Sequence, residues 1–410
     1  MFLTRKQWAL LHDIASQGMP ALQISDLRFK QTRKSLKFSA NCGTQLTGLA
    51  VFCFARKHLS EEPPSPQGML AKRSKPLFLD KTDAVMLAAR TSSPRAPLVV
   101  EEIAELALQP TETDYRLLSQ AKSNGLIPAS ISVSPTSRFL KHVAIDAKRL
   151  KEPASYYKEI LEHQCSIDPA THRFRVLNAS NGLDVDPTSP SNVKEAVICG
   201  ASVAELDEIQ DAFIQKGVYP SRLEIASVSM IDGLVSYIRS QKITDAVLVL
   251  ELLADQTLVR IVKAEGVGAT RILAAGFNSF LPIVRGELGL RDDESARKVF
   301  FSNSFDFTTM GSQLIRKLVR DLQSAVGFYE VQTGQAIGHV FMPFLPANLR
   351  WLARSFGEGL GVGALEINYQ AWLQSVGVTF SDPAMLQKID ARWLPLFSMM
   401  ADTSLSTASA

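Results

Sequence analysis

From about Lys81 onward, apolar residues recur alternately at strand spacing and at helix spacing. Ala84–Leu87 and Leu98–Leu106 are apolar runs flanking the polar turn Arg90-Thr91-Ser92-Ser93-Pro94-Arg95, which predicts a hairpin. Ile127–Val133 and Phe139–Ile145 read as strands across Ser134–Ser137, and Tyr156, Tyr157, Ile160 and Leu161 fall on one buried helix face. After the polar stretch Asp184–Lys194 come strand Ala196–Cys199, helix Val203–Gly217 stopped by its last glycine, and strand Arg222–Ile225. A helix through Ile231–Ile238 leads to the strong strand Ala246–Leu252, and Thr257–Val262 pairs with Thr270–Ala274 across Glu265–Gly268. Gln313–Tyr329 is the most regular helix, with Leu314, Leu318, Leu322 and Val326 four apart; such a stripe reads as core rather than as a partner seam. Val340–Phe344, helix Asn348–Phe356 and Gly361–Ile367 close the pattern, and the small, polar Ala401–Ala410 is expected to fray. The alternation is that of α/β layers, and 410 residues are enough for two lobes.

Composition narrows the class. With 46% hydrophobic and 21% charged residues the chain can build sizeable cores, which excludes global disorder. A net charge of +3 is too balanced for a dedicated nucleic-acid binder. The charge is lopsided, however: residues 1–75 carry twelve Lys or Arg against Asp13, Asp26, Glu61 and Glu62, so this segment is +8 and the rest −5. It ends in the linker-like run Glu61–Gly68, and it reads either as a basic arm for anionic lipid or nucleic acid or, the reading favoured, as a solvated, poorly ordered extension that begins before the native start. Cys42, Cys53, Cys165 and Cys199 form no C-x-x-C pair and no disulfide framework, so a reducing cytosol is expected. Leu46–Ala55 and Ala246–Leu253 are the longest apolar runs, too short to span a bilayer, and Met1–Leu11 lacks the features of a secretory signal.

Candidate chemistry is sparse. Glu162, His163, Cys165 and His172 are near one another but match no common zinc spacing. Ser134 and Ser137 lack the G-x-S-x-G elbow of a hydrolase nucleophile. Gly266 and Gly268 are followed by a strand, the wrong context for a dinucleotide fingerprint. Gly357, Gly359, Gly361 and Gly363 read as the end of a helix turning into a strand.

As an ordered series the segments carry a resemblance. Ser137–Ile145 with the Pro153–Glu162 helix, Ala196–Glu205, the turn Lys216–Pro220 and Leu223–Leu234 are similar to successive blocks of the PilM family of type IV pilus assembly. So are Thr270 and Arg271 with Gly276, Glu287–Leu290 before Asp292–Glu294 and Ala296, and the helix end Val326–Tyr329. More distantly the series resembles GspL of type II secretion and FtsA of cell division, and it covers about four fifths of the chain. The resemblance implies an α/β, actin-like two-lobe fold: a first lobe over 76–240 with an inserted small α/β subdomain at about 125–200, a second lobe over 241–400, and a flexible tail over 401–410.

In that fold ATP and magnesium bind between the lobes, cradled by glycine-rich loops and carboxylates. The family's first loop reads roughly Asp-Ile-Gly-Ser-Ser-Ser-Ile-Lys, and a gap-free alignment places Ala88–Arg95 there. Thr91, Ser92 and Ser93 keep hydroxyls and Arg95 a positive charge, but Ala88 replaces the carboxylate and Arg90 the glycine. In the second loop Glu251, Asp255 and Thr257 remain as candidate contacts, while Leu253 stands at the glycine position. The adenosine-side Gly-Gly has no counterpart in Phe341–Leu349. These departures predict a degenerate cleft with no catalytic residue, no resident metal and no hydrolysis. The task then implied is docking of the cytoplasmic tail of an inner-membrane, PilN-like partner as an extended peptide near Arg138, Phe139 and Lys141, beside strand Ala196–Gly200. That would place the protein in the cytoplasm, peripheral to the inner membrane, among other pilus assembly proteins. The rival from another class is an active ATPase or small-molecule kinase with altered loops.

Overall fold

The computed structural model describes Leu70 and residues 74–408, apart from 83–84, 123, 150–152, 181, 183, 186–192 and 303. Nearly all of the basic segment 1–75, with its linker, therefore lies outside the described residues, as do most of the polar stretch 184–194 and the last two residues, 409–410.

The first sheet opens as a meander of β1 (Leu77–Lys81), β2 (Met86–Thr91) and β3 (Leu98–Leu106). Helix α1 (Glu112–Ser119) follows; Thr111 caps its first turn and Asp114 returns the bond to the Thr111 amide. Strand β4 (Ile127–Val133) then pairs parallel with β1.

Between β4 and the next strand of that sheet the chain makes a separate three-stranded antiparallel sheet. It comprises β5 (Phe139–Ala144), helix α2 (Pro153–Glu159) with a π turn over Ile160–Gln164, β6 (His172–Asn178) and β7 (Glu195–Ser202), ordered β5-β7-β6. The insert thus begins at 139 rather than near 125, because Ile127–Val133 belongs to the main sheet. Its two faces are both apolar, as the strand alternation requires. Val143, Val176, Ala196 and Ile198 pack on Tyr156, Tyr157, Ile160 and Leu161, whereas Leu177, Val197 and Cys199 face the central core.

Helix α3 (Val203–Gln215) runs back to the main sheet and ends two residues before Gly217, whose φ of 77° is a conformation that side-chain-bearing residues avoid. Strand β8 (Val218–Ile225) pairs parallel with β4 and passes directly into α4 (Ala226–Gln241), most of which is buried.

The second sheet holds β9 (Ala246–Leu252), the hairpin β10 (Thr257–Lys263) and β11 (Gly266–Leu273), β12 (Ile337–Phe341) and the short β13 (Gly363–Ala364), ordered β11-β10-β9-β12-β13. Its outer face carries α5 (Leu281–Leu288), α6 (Asp293–Phe300), α7 (Gly311–Thr333) and α8 (Trp351–Leu360), packed as one core. Leu314, Leu318 and Leu322 of α7 are buried in it, so that stripe is core.

The last stretch returns to the first sheet. After α9 (Tyr369–Ser375), strand β14 (Val378–Phe380) pairs parallel with β3, and α10 (Leu394–Ala408) packs along α4 and across β1 and β4. Residues 378–408 were expected in the second lobe and in a fraying tail, and this expectation fails for both. Ala401, Asp402 and Ser404 are buried; their low apolar content reads as a tail in sequence, but Arg222 pairs with Asp402, and Thr403 and Thr407 hydroxyls donate to carbonyls one turn back. The α4 helix therefore lies at the centre, with apolar residues from both large sheets, the insert and α10 around it.

Candidate functional site

Lys81, Val133 and Ile225 end their strands in register, so the turn Thr82–Val85, the turn Ser134–Arg138 and the first turn of α4 emerge along one edge of the first sheet. Carboxyl ends of parallel strands are where ligands gather in open α/β sheets. The second sheet faces this edge with Glu251, near the end of β9.

Glu251 is buried, and its carboxylate is fully engaged. Arg138 donates to Oε1 through Nη2 and, at 3.1 Å, through Nε; Arg260 Nη1 donates to Oε2 at 2.8 Å and Ser227 Oγ to the same oxygen at 2.9 Å. Burial alone would raise this carboxyl, but the charges of Arg260 and Arg138 hold it below its ordinary value. The side chains of Arg138 and Arg260 are 7% and 4% exposed, so a carboxylate and two guanidiniums form one buried network joining the insert's entry turn, the second sheet and α4. Glu205 at the start of α3 fixes the entry turn, accepting the amides of Thr136 at 2.6 Å and Ser137 at 3.0 Å.

The β9–β10 turn is closed on itself. Leu253 N–H donates to Gln256 O at 2.9 Å, and the amides of Phe277 and Asn278 donate to Leu253 O and Ala254 O at 2.9 and 2.8 Å. Gly276 permits this approach, since a Cβ there would sit 2.2 Å from Leu253 O. Thr257 Oγ1 donates to Ala275 O at 2.7 Å, and Asp255 Oδ1 accepts from Asn278 Nδ2 at 2.7 Å. The acid at the end of β1, Asp80, is fully buried; burial pushes its carboxyl up to about 7 against a lowering bond from Ser132. ATP with magnesium asks for open backbone amides and ionised, unshared carboxylates. The residues here, a doubly paired Glu251, a self-bonded turn and a fully buried Asp80 bonded by Ser132, do not fit that group.

The structure does not bring Thr91, Ser92, Ser93 and Arg95 to this edge. They lie at and beyond the Leu77 end of the sheet, at least about 13 Å along the strands from Lys81. Thr91 Oγ1 donates to Ser93 O, Ser93 Oγ accepts from Arg95 N, and the neighbouring Ala96 amide binds Thr407. The gap-free alignment fell one hairpin too late, because the turn at the right end is only Thr82–Val85, short and with little loop character.

Arg138, Phe139 and Lys141 stand beside the insert's sheet, but not together in a groove. Arg138 is held by Glu251, and Phe139 lies against Gly200 and edge-on to His172, with ring centroids 6.0 Å apart. Phe139 and Lys141 share the face of β5 toward α2; the intervening Leu140 points the other way. There it lines an apolar pocket with Leu177, Val197, Ile231, Val235 and Val267, with Asp232, Arg239 and Glu265 also in its walls. Arg260 and Ser227 were missed by sequence reasoning. The signal for Arg260 was present: Glu251 and Arg260 each interrupt an otherwise apolar strand, and two such charges on paired strands must find each other. Among the described residues no group of three or more His, Cys, Asp or Glu is placed to hold a metal, so Glu162, His163, Cys165 and His172 form no such site. Among them, too, no helix is long and apolar enough to cross a membrane.

No family model matches the chain, and no curated protein matches it. Its structure is similar to a chain of the PilM-PilN type IV pilus biogenesis complex, with a TM-score of 0.57 and 15% identity over 81% of this chain and 99% of that one. Weaker likenesses include a Bacteroides thetaiotaomicron protein with an actin-like ATPase fold (TM-score 0.37, 9% identity, 74% of this chain and 96% of that one). The cytoplasmic domain of EpsL from the Vibrio cholerae type II secretion system gives a TM-score of 0.36 at 12% identity, over 78% of this chain and 98% of that one. The chain shares the fold of that chain of the PilM-PilN complex, the mixed α/β fold expected from the sequence.

Proposed function

We propose that this protein is an actin-like scaffold of a type IV pilus or related secretion assembly, and that it holds the cytoplasmic tail of a PilN-like inner-membrane protein without hydrolysing nucleotide. The observation that carries the reading is Glu251 clamped between Arg138 and Arg260 at the edge where the fold would place a nucleotide. A buried ion network joins there what phosphate and metal would otherwise join. Docking is assigned to the apolar pocket between the insert's sheet, α4 and the β10–β11 turn, with an apolar side chain of the extended tail seated against Leu140 and Val197. The likeness to a PilM-PilN complex supports the class of partner. The protein would then sit in the cytoplasm and reach the inner membrane through that partner.

The test is binding of the full chain to synthetic cytoplasmic tails of the inner-membrane proteins encoded beside it. One tail is expected to bind saturably, equally with and without ATP and magnesium, and to be lost with Leu140→Glu. Binding of no tail, or binding that requires ATP, would contradict the proposal; the second result favours the active ATPase or kinase.

A further inference from the structure

Beneath α10 the first sheet buries polar groups where its pattern calls for apolar ones. Asp80, Ser132 and Glu224 are register partners on β1, β4 and β8, so their side chains share the face covered by α4 and α10. Arg222 lies on that same face two residues before Glu224. It donates to Glu224, to Asp402 Oδ2 at 2.7 Å and to the Met399 carbonyl at 3.5 Å. From α4, Ser229 donates to the second Glu224 oxygen, and Asp232 accepts from Ser398 of α10 at 3.3 Å. Glu224 and Asp402 are 2% exposed each.

Two buried carboxyl groups, Glu224 and Asp402, therefore share one guanidinium, and the half-buried Asp232 adjoins Asp402, so the three cannot all ionise freely. Asp402 Oδ1 is buried without a donor unless its neighbour Asp232 carries a proton to give it. Burial, with Asp402 and Glu224 nearby, raises Asp232 well above its ordinary value; burial likewise pushes Glu224 up to about 7 and raises Asp402, against the pull of Arg222.

We propose that Glu224 and Asp402 on Arg222, with Asp232 beside Asp402 and Ser398, are a proton-operated latch that seats α10 on α4, closed while the cluster keeps its protons and eased as they leave. The two helices meet closely: a Cβ on Gly233 would lie 3.0 Å from Leu394 and Ser398. The same α4 turns supply Ile231, Asp232 and Val235 to the walls of the apolar pocket, so a shift of α10 reaches the pocket wall. The latch itself does not depend on what the pocket holds.

The sign follows from linkage. A carboxyl raised on folding adds stability that is complete below its ordinary value, near 4.5 for Glu224, and that is lost as the pH rises to about 7. Hydrogen exchange of the full chain at about pH 5 and about pH 7.5, corrected for intrinsic rates, reads this locally. Protection of 394–408 is expected to fall at least about tenfold between the two, while α7 changes little. Glu224→Gln, an uncharged likeness of the protonated acid, should remove most of that dependence; Asp402→Asn, which relieves the charge excess, should do the same and serves if the first variant does not fold. Unchanged protection of α10, an equal change in α7, or a variant that keeps the wild-type dependence would overturn the latch.

Discussion

Glu251 shows how charge can be buried at a tolerable cost. Two guanidiniums and the Ser227 hydroxyl satisfy both of its oxygens, so the desolvation of the carboxylate is offset by short-range attraction in a medium of low polarity. Removing the acid leaves two buried cations facing each other. Glu251→Gln is therefore expected to cost about 3–5 kcal/mol in denaturant unfolding, and Arg138→Ala less, about 1–3 kcal/mol, because Arg260 remains. A cost for Glu251→Gln below that of Arg138→Ala would count against the network. Asp80 behaves in the opposite sense. Its carboxyl, pushed up to about 7, contributes stability below an ordinary value of 3.8 that disappears as the pH rises to about 7. Asp80→Asn should thus raise stability at about pH 7.5 by roughly 1–3 kcal/mol and flatten the fall between about pH 4 and 7, measured as urea midpoints.

At the level of elements, the α4–α10 crossing is set by glycine. Gly233→Val would push a branched side chain into Leu394 and Ser398, and overpacking of this kind costs about 1–3 kcal/mol. Thermal unfolding should register that loss, whereas Gly286→Ala on α5, where a Cβ would meet nothing within 4 Å, should be neutral or slightly stabilising. Most elements were legible in the sequence because their apolar spacing is clean: the hairpins over 84–106 and 257–274, the α4 and α7 helices, and the strand over 246–252. The second half of helix α10 was not, because beyond the buried Leu394, Phe397 and Met400 its inward positions include Asp402 and Ser404, polar residues held inside by partners such as Arg222 and the Gly377 carbonyl rather than by their own hydrophobicity. The first-loop assignment failed for a related reason. Two hairpins follow one another, only the second with a long polar turn, and only strand register shows that the Lys81 end of β1, not Thr91–Arg95, shares an edge with Glu251.

For the whole molecule, the order of the sheets explains why the ends of the chain matter. Strand β14 and α10 complete the first lobe after the second lobe has been built, so the chain crosses between lobes twice and α4 is enclosed by both. The apolar pocket around Leu140 is formed at that junction by the insert, α4 and the β10–β11 turn together. The candidate site was legible in part: the strands around Leu140 follow from their apolar pattern and Glu251 from the family resemblance, while the pairing that neutralises Glu251 is a long-range contact no local spacing encodes.

The central claim is that a protein ion network, not a nucleotide, joins the lobes at the Glu251 edge. Thermal unfolding of the full chain with and without millimolar ATP and magnesium tests it most directly. A ligand at a hundred times its dissociation constant would add about 2.7 kcal/mol to the folded state and shift the midpoint by several degrees. The account predicts no shift for the wild-type chain; a saturable, magnesium-dependent rise would contradict it.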